Sequence, residues 1–446
     1  MKILFISLGC DKNLVDSEHM LGILSERGYG ITDDEADADI IIINTCSFIH
    51  DAKEESVANI LEMAEYRRNG SCKALIVCGC LAQLYRNEIL DEIPEVDAVI
   101  GTIGLEQIAD AIEEVLKSNR LMMVRDPMKE DPDLSGKRLV TTGGHYEYLK
   151  IAEGCNKRCT YCIIPSLRGA YRSVPMEELL KEAAELARQG VKELVLVAQE
   201  TTLYGIDLYG KKSLHLLIKE LCKISGIQWI RILYCYPEEI YPELIDVMKE
   251  EPKVCHYLDL PIQHSEDEIL KRMGRRTSHD DLVSIIKNLR AEIPDIALRT
   301  TLITGFPGET EENHRNLMAF IEEMRFDRLG VFTYSREENT PAGEMEDQIP
   351  EETKEIRKDA LMSLQQDISL ERGEAKIGRE LYVMVEGFLS EENAYVCRTY
   401  ADAPNVDGYF FLNTSLDLQS GDFVPVRVTG SLEYDLIGEC TDEFTE

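Results

Sequence analysis

Residues 155–162 read Cys-Asn-Lys-Arg-Cys-Thr-Tyr-Cys, and the rest of the chain is interpreted from this stretch. Three thiolates in so short a loop can bind three irons of a cuboidal iron–sulfur cluster. A four-iron cluster needs four ligands, so one iron stays open unless a distant cysteine closes it. An open iron can bind a substrate or cofactor, as the open position of a catalytic zinc ion does. The alternative is a structural zinc knuckle, although no second Cys-x-x-Cys or His-x-His pair lies nearby.

Short apolar runs and amphipathic stretches alternate after this loop, starting from a run just before it. Six βα units in one series predict a barrel or partial barrel with strands buried on both faces. The predicted strands cover residues 148–152, 193–198, 229–233, 257–260, 298–303 and 329–334, and the predicted helices cover 176–189, 213–224, 238–250, 280–292 and 311–325.

The N-terminal part has the same alternation on a smaller scale, which predicts a doubly wound α/β domain. Its predicted strands cover residues 3–8, 40–43, 74–77 and 98–100, and its predicted helices cover 14–26, 53–67 and 105–116. The C-terminal part differs. A long helix at 351–375 precedes short strands at 381–386, 394–398, 409–412 and 424–429, which predict a small all-β barrel. We therefore expect domains at 1–120, 145–373 and 374–446, with a Pro- and Gly-rich linker at 121–144 that includes Asp131-Pro132.

Three cysteines follow three of the N-terminal strands: Cys10, Cys46 and Cys80. The carboxyl ends of parallel strands lie along one edge of a sheet, so these thiols are expected to converge there. Gly9 and Gly79 leave backbone room beside them. A second three-thiolate iron–sulfur site is the favoured interpretation, and burial as small hydrophobic residues is the alternative.

Of the other cysteines, Cys78 is ambiguous, because alternation along an extended strand places it on the same face as Cys80. The remaining six have no clustering partner and are expected to be structural: Cys72, Cys222, Cys235, Cys255, Cys397 and Cys440.

The Cys-x3-Cys-x2-Cys loop resembles the hallmark of the radical S-adenosylmethionine superfamily, found at the top of a partial βα barrel. The resemblance implies that S-adenosylmethionine binds the open iron and is cleaved to a 5′-deoxyadenosyl radical, with the protein positioning the cofactor. It places Tyr161 near the adenine, although an ordinary loop aromatic is equally consistent. It also places Gln199, Glu200 and Thr201 near the methionine end of the cofactor, and Gly305 and Glu309 in a glycine-rich turn facing it.

Two three-cysteine sites and a C-terminal β barrel together resemble the methylthiotransferase family, across essentially the whole chain. In that family the cluster at Cys155, Cys159 and Cys162 makes the radical, and the cluster at Cys10, Cys46 and Cys80 carries the sulfur to be inserted. The resemblance thus implies two 4Fe-4S clusters, S-adenosylmethionine and a C-terminal TRAM domain.

The family divides by substrate into a transfer-RNA branch, which modifies adenosine, and a branch that modifies an aspartate in the twelfth protein of the small ribosomal subunit. Residues 8–18, Leu-Gly-Cys-Asp-Lys-Asn-Leu-Val-Asp-Ser-Glu, are similar to the ribosomal-protein branch, which usually has Pro where this chain has Asp11. Further similar stretches are residues 163–169, 259–264 and 403–408.

Charge tests this choice independently. The net charge is −35, and residues 376–446 hold 14 acidic against 4 basic residues. A barrel that binds RNA needs a positively charged groove. Because this one is acidic, stable nucleic-acid binding is not expected. An acidic TRAM domain suits a basic ribosomal protein, although the acidity is also explained by generic solubility.

No signal peptide and no apolar run of membrane-spanning length are evident, so a cytoplasmic protein without a membrane partner is expected. A reducing compartment favours cysteines as metal ligands over disulfides. A reducing electron donor is then a further expected partner. A non-catalytic iron–sulfur or zinc module remains the alternative to an enzyme.

Overall fold

A parallel sheet of six strands forms the core of the N-terminal part. The computed structural model describes residues 1–130 and 137–441. Among these residues the sheet has the order β2-β1-β3-β4-β5-β6, and all pairings are parallel. Its strands are β1 (Lys2–Ser7), β2 (Gly30–Thr32), β3 (Ile40–Thr45), β4 (Ala74–Gly79), β5 (Ala98–Ile100) and β6 (Leu121–Met123).

Helices cover both faces of this sheet, which confirms the doubly wound prediction. They are α1 (Asp11–Glu26), α2 (His50–Asn69), α3 (Cys80–Tyr85), α4 (Asn87–Glu92) and α5 (Ile108–Val115). Helices α1 and α5 contribute to the apolar cluster around Ile40 and Ile42, whereas α2 contributes to the cluster around Ile41 and Ile43. Four consecutive isoleucines therefore supply both cores, as expected for a strand buried on both faces.

The chain divides into two compact units, and the division does not follow chain order. The first unit comprises residues 1–141, 152–174 and 335–343, and the second comprises 142–151, 175–334 and 344–446. The first unit thus contains the N-terminal sheet together with the 155–162 loop. The predicted linker of residues 121–144 begins with β6, the edge strand of the first sheet, and its residues 131–136, including Asp131-Pro132, lie outside the described ranges.

The second sheet is also parallel and six-stranded, with the order β14-β13-β12-β11-β10-β7. Consecutive strands are neighbours, as a partial (βα)6 barrel requires. Its strands are β7 (Tyr146–Lys150), β10 (Glu193–Val197), β11 (Trp229–Ile232), β12 (Val254–Asp259), β13 (Ala297–Thr304) and β14 (Arg328–Thr333). The short antiparallel strands β8 (Ala152–Glu153) and β9 (Arg172–Ser173) belong to the first unit.

The helices from residue 164 onward include all five predicted between the barrel strands, with α6 in the first unit and the others in the second. They are α6 (Ile164–Arg168), α7 (Met176–Arg188), α8 (Ile206–Tyr209), α9 (Leu214–Cys222), α10 (Pro242–Glu250), α11 (Asp267–Arg272), α12 (His279–Glu292), α13 (Glu311–Met324) and α14 (Glu351–Glu374). No helix in the described ranges has the length and apolar character needed to cross a membrane.

A closed five-stranded barrel completes the second unit, in the order β15-β16-β17-β19-β18. Its strands are β15 (Glu380–Leu389), β16 (Ala394–Thr399), β17 (Phe410–Asn413), β18 (Phe423–Ser431) and β19 (Leu436–Cys440). Four of them match predicted strands. The fifth, β19, was not predicted, and without it the barrel would not close.

Buried and half-buried arginines connect this β barrel to the βα strands within the second unit. Glu193 on β10 accepts hydrogen bonds from Arg231 on β11 (Nε, 2.7 Å) and Arg398 on β16 (Nη2, 2.6 Å). Arg328 on β14 pairs with Asp402, and Arg299 on β13 pairs with Asp407 (3.3 Å). Part of the acidic charge of the β barrel therefore serves its attachment rather than its surface.

Candidate functional site

The three N-terminal cysteines lie at the carboxyl ends of adjacent strands, as the sequence predicts. Cys10 follows β1 and precedes α1, Cys46 follows β3, and Cys80 begins α3 directly after β4. Strand β3 lies between β1 and β4, with Asn44 opposite both Ser7 and Cys78. The thiols interact electrostatically: burial raises the pKa of Cys80 to about 11, and Cys46 and Cys10 add to the increase while Arg168 opposes it.

Two glycines allow the strand ends to approach this closely. Gly9 has φ +90°, and a Cβ there would lie 2.6 Å from Cys46 Cβ and 2.9 Å from its Sγ. Gly79 has φ +91°, and a Cβ there would lie 2.3 Å from Asn44 Oδ1. A side chain at either position would be strained by the backbone and would displace its neighbour. The backbone room expected from the sequence is therefore present.

Asn13 ties the cysteine loops together. Its Nδ2 donates to the carbonyl oxygens of Leu8 and Thr45, both at 3.0 Å. These residues stand just before Gly9-Cys10 and Cys46. The Oδ1 atom of Asn13 lies 4.0 Å from Cys80 Sγ. One amide thus touches all three loops that carry the predicted ligands.

Cys78 is separate from this group. Its side chain is fully buried in the apolar cluster that contains Ile42, Ile76 and Ile100, and its Sγ lies 3.5 Å from Ile43 O. Cys78 therefore does not lie beside Cys80 as strand alternation predicts, because Gly79, with a positive φ, ends the strand and Cys80 starts a helix. Of the six cysteines expected to be structural, five are buried and Cys440 is half-buried. All thirteen cysteines lie in the described ranges, and none of them forms a disulfide there.

The 155–162 loop lies between β8 and α6 and is held at several points. Cys155 N donates to Gly169 O (3.1 Å), Cys162 N donates to Cys159 O (3.1 Å), and the Asn156 side chain accepts from Tyr171 N (3.0 Å). Burial raises the pKa of Cys162 to about 12, with further increases from Cys159 and Cys155. The three thiols are therefore grouped. Tyr161, which immediately precedes Cys162, is half-buried.

The donor sets suit iron–sulfur clusters. Cysteine thiolate is the usual ligand of such clusters, and iron binding releases the thiol protons. Within the described residues no group of three His, Cys, Asp or Glu side chains is arranged to hold a single metal ion. The ligands of a cube each bind a different iron, so they stand farther apart than the ligands of one ion.

Helix α6 connects the two cysteine groups inside the first unit. Cys80 packs with Ile163 and Leu167, which follow the 155–162 loop. Arg168, at the end of α6, is buried and donates to Asp16 Oδ2 (2.6 Å), Glu153 Oε2 (3.2 Å) and Asn13 Oδ1. Arg168 and Asn13 lie in stretches that are similar to the ribosomal-protein branch, but the sequence predicts no role for either residue.

The predicted cofactor-facing residues of the second unit lie after β10 and β13. Gln199 is half-buried, whereas Glu200 and Thr201 are fully buried. Thr201 N donates to Tyr234 O (3.1 Å), and Glu200 Oε1 accepts from Thr202 N (3.1 Å). These hydrogen bonds fix the backbone of the turn that follows β10.

The glycine-rich turn after β13 is shaped by Glu309. Its buried carboxylate accepts from the N–H groups of Gly305 (2.6 Å) and Phe306 (3.2 Å) and pairs with Arg357 (3.2 Å). Burial raises the pKa of Glu309, and Arg357 opposes that shift. Gly305 has φ +71°, and a Cβ there would lie 2.3 Å from Lys354 Cγ. The Glu309 side chain is thus directed into its own turn.

Comparisons with known proteins agree with this geometry. Residues 149–321 match the radical SAM superfamily, residues 2–101 match the uncharacterized protein family UPF0004, and residues 377–441 match the TRAM domain. A ribosomal protein uS12 methylthiotransferase RimO from Lachnoclostridium phytofermentans is 61% identical over 98% of this chain and 99% of the relative. The RimO of Pelotomaculum thermopropionicum is 49% identical over 98% and 99%.

The chain belongs to the RimO family. RimO is a family of radical S-adenosylmethionine methylthiotransferases that use two 4Fe-4S clusters and S-adenosylmethionine, which confirms the cofactors implied by the sequence resemblance. Among solved structures, the radical S-adenosylmethionine methyltransferase TsrM from Kitasatospora setae has a TM-score of 0.56 at 13% identity, covering 77% of this chain and 74% of TsrM. That similarity concerns the fold alone.

Proposed function

We propose that this chain inserts sulfur and a methyl group at the β-carbon of an aspartate in ribosomal protein uS12. The observation that carries the proposal is the presence of two separate three-cysteine groups in one unit, Cys10, Cys46 and Cys80 in one and Cys155, Cys159 and Cys162 in the other. The substrate follows from the relatives, whose names specify uS12.

Each cysteine group is assigned one cluster and one role. When bound, the cluster at Cys155, Cys159 and Cys162 supplies the electron that cleaves S-adenosylmethionine, and the cluster at residues 10, 46 and 80 supplies sulfur. Of the six thiols, four are buried away from bulk water, Cys162 is half-buried and Cys10 is exposed. Residues 1–120, 145–373 and 374–446 are proposed as the cluster, radical SAM and TRAM domains.

The residues proposed to hold S-adenosylmethionine follow the family resemblance: Tyr161, Gln199, Glu200, Thr201, Gly305 and Glu309. The contacts of Glu309 support an indirect role, because both carboxylate oxygens accept hydrogen bonds within the turn or from Arg357. Gly305 keeps this turn compact, since a Cβ there would collide with the Lys354 side chain. The compartment proposed is the cytoplasm, where a reducing electron donor and the ribosomal substrate are both accessible.

The TRAM domain is proposed to attract the basic substrate protein. Among the described residues of this domain, seven acidic side chains are exposed, against two basic ones, Arg379 and Arg427. The acidic ones are Glu380, Glu391, Glu392, Asp417, Asp422, Glu433 and Glu439. Surface charge of one sign accelerates association with a partner of the opposite sign and disfavours phosphate backbones.

The decisive experiment is reconstitution. The iron-loaded protein is incubated anaerobically with reductant, S-adenosylmethionine and a uS12 peptide, and mass spectrometry is used to detect methylthio-aspartate. We expect Cys155→Ala to abolish 5′-deoxyadenosine formation, and Cys10→Ala to retain that cleavage but lose methylthio product. Cys78→Ala is the matched control and should retain both, since its thiol lies in the apolar core. Absence of product from the parent protein with both clusters intact would refute the proposal.

The second candidate function is methylthiolation of adenosine in transfer RNA. The exposed acidic residues of the barrel disfavour it, because a positive groove is needed to hold RNA. Loss of methylthio-adenosine from total transfer RNA in a deletion strain, with uS12 still modified, would favour this alternative.

A further inference from the structure

Arg168 contacts both candidate cluster sites, although it belongs to neither set of ligands. Toward the N-terminal site it donates to Asn13 and Asp16 on α1. Asn13 in turn holds the carbonyl oxygens of Leu8 and Thr45, beside Cys10 and Cys46. The Asn13 Oδ1 atom that accepts from Arg168 also lies 4.0 Å from Cys80 Sγ. Through Asn13, one side chain thereby reaches all three loops of the N-terminal site.

Toward the other site, Arg168 is connected through Glu153 and through the neighbouring residue, Gly169. Glu153 accepts from Arg168 Nη1 at 3.2 Å and stands two residues before Cys155. Gly169, which follows Arg168, accepts from Cys155 N at 3.1 Å. The planar guanidinium is suited to such a junction, because it presents donors in fixed directions to several acceptors at once.

A second connection joins the same two regions. Residues 335–343 belong to the first unit, where Ala342 N donates to Thr160 O (2.9 Å), between Cys159 and Cys162. At the other end of this segment, Ser335 Oγ accepts from His50 N (3.3 Å), and Glu337 pairs with Lys53. His50 and Lys53 lie on α2, shortly after Cys46. The two cysteine groups are thus connected on two sides.

We propose that Arg168 is the positioning residue that fixes the placement of the two cluster sites relative to each other. The inference rests on the proposed function, in which sulfur held at one site must reach a substrate radical generated at the other. Sulfur transfer depends on that separation, whereas cleavage of S-adenosylmethionine depends on the 155–162 site alone. Weakening the hydrogen bonds of Arg168 should therefore lower sulfur transfer while cleavage of S-adenosylmethionine is retained.

The test compares Arg168→Lys with Arg138→Lys in the full-length, iron-loaded protein. Lysine keeps the charge but loses the fork of donors. Arg138 is an equally buried arginine of the same unit, paired with Glu18 (2.6 Å), so its variant controls for the loss of a buried guanidinium. The readouts are iron per chain, 5′-deoxyadenosine, methylthio product, and the magnetic coupling between the two reduced clusters by electron paramagnetic resonance.

We expect Arg168→Lys to retain the iron and the 5′-deoxyadenosine of the parent protein. Its methylthio product per 5′-deoxyadenosine should fall by about tenfold or more, a typical cost of altering a residue just outside a metal site. Its cluster–cluster coupling should be weaker or more broadly distributed than that of the parent. Parental coupling in Arg168→Lys, or an equal change in Arg138→Lys, would overturn the inference.

Asp16→Asn covers the case in which Arg168→Lys fails to fold. It leaves the arginine in place, keeps the side-chain shape and removes only one charged partner. The same separation of activities is expected, and parental behaviour in every readout would overturn the inference. If the parent itself makes no methylthio product, the proposed function fails, while the coupling measurement still tests the placement of the two sites.

Discussion

At the scale of the residue, the candidate sites depend on residues that are not themselves proposed as ligands or catalytic groups. Gly9 and Gly79 are needed because the loops after β1, β3 and β4 approach one another too closely for a side chain. Asn13 contributes its whole amide to holding those loops. The thiols of the N-terminal site are therefore positioned by neighbouring residues whose identity matters as much as that of the ligands.

Gly9→Ala tests this dependence. The added methyl would collide with Cys46 and would also require φ +90°, so we expect loss of the N-terminal cluster and a decrease of iron from about eight to about four per chain. Gly28→Ala is the matched control, because Gly28 has φ +82° but no atom within 4 Å of the added carbon. Iron analysis after anaerobic reconstitution gives the result, and equal iron in the two variants would argue against a packing role for Gly9.

At the scale of the element, buried ion pairs join the β barrel to the βα strands. Glu193 lies between Arg231 and Arg398, and all three side chains are fully buried. A carboxylate shared by two guanidiniums cannot be removed without leaving positive charge uncompensated in the interior. These ion pairs explain how the β barrel stays attached to the βα strands within the second unit.

Glu193→Gln should lower the free energy of unfolding by about 3–5 kcal/mol, because it breaks a buried pair by removing one partner. The control is Glu380→Gln, which removes the partner of exposed Arg427 (2.9 Å) and should cost at most about 1 kcal/mol. Denaturant unfolding of both variants measures the difference. Similar small losses in the two would mean that the buried network adds little to stability.

Much of this organisation could be predicted at the element scale. Short, continuous apolar runs located β1, β3, β4, β5 and all six strands of the partial barrel, because strands buried on both faces are apolar throughout. Strands β2, β6, β8, β9 and β19 were not predicted as separate strands: the first four have only two or three residues each, and β19 contains Gly438 and Glu439. The six predicted cysteines fall into two groups of three, but Arg168 and Asn13 gave no signal, since their roles come from contacts across 155 residues.

At the scale of the whole molecule, the charge of −35 has two parts. Some carboxylates, such as Asp402 and Asp407, are buried against arginines and contribute to attachment. Others, such as Glu391 and Glu392, are exposed on the β barrel and are free to face a partner. Net charge alone therefore overstates the surface that can attract a basic protein.

Charge reversal separates these contributions. Glu391→Lys with Glu392→Lys should raise KM for uS12 and weaken its salt dependence, with little change in kcat, because long-range attraction mainly sets the association rate. Glu113→Lys with Glu114→Lys on α5 changes the net charge equally outside the barrel and serves as the control. Steady-state kinetics at low and moderate salt would show the contrast, and identical KM values for the two double variants would count against TRAM docking.

The buried structural thiols give the iron-free protein a defined pH dependence. Burial raises the pKa of Cys222 to about 11 and of Cys255 and Cys397 to about 12. Between about pH 9 and 11 the unfolded chain loses these protons while the folded chain keeps them, so stability falls as pH rises. Anaerobic urea unfolding at pH 8 and pH 10 should show a lower midpoint at pH 10, and an equal or higher midpoint would contradict these pKa shifts.

The discontinuous first unit has a consequence for biosynthesis. Its sheet is complete by residue 123, but the 152–174 segment joins it later, and the 335–343 segment later still. During translation, the six proposed ligand thiols are therefore synthesised before most of the βα barrel, and the unit that surrounds them is still incomplete at that stage. We therefore expect both clusters to be loaded only after residue 343 has left the ribosome. Chains that stall earlier should be the most susceptible to oxidation of these thiols.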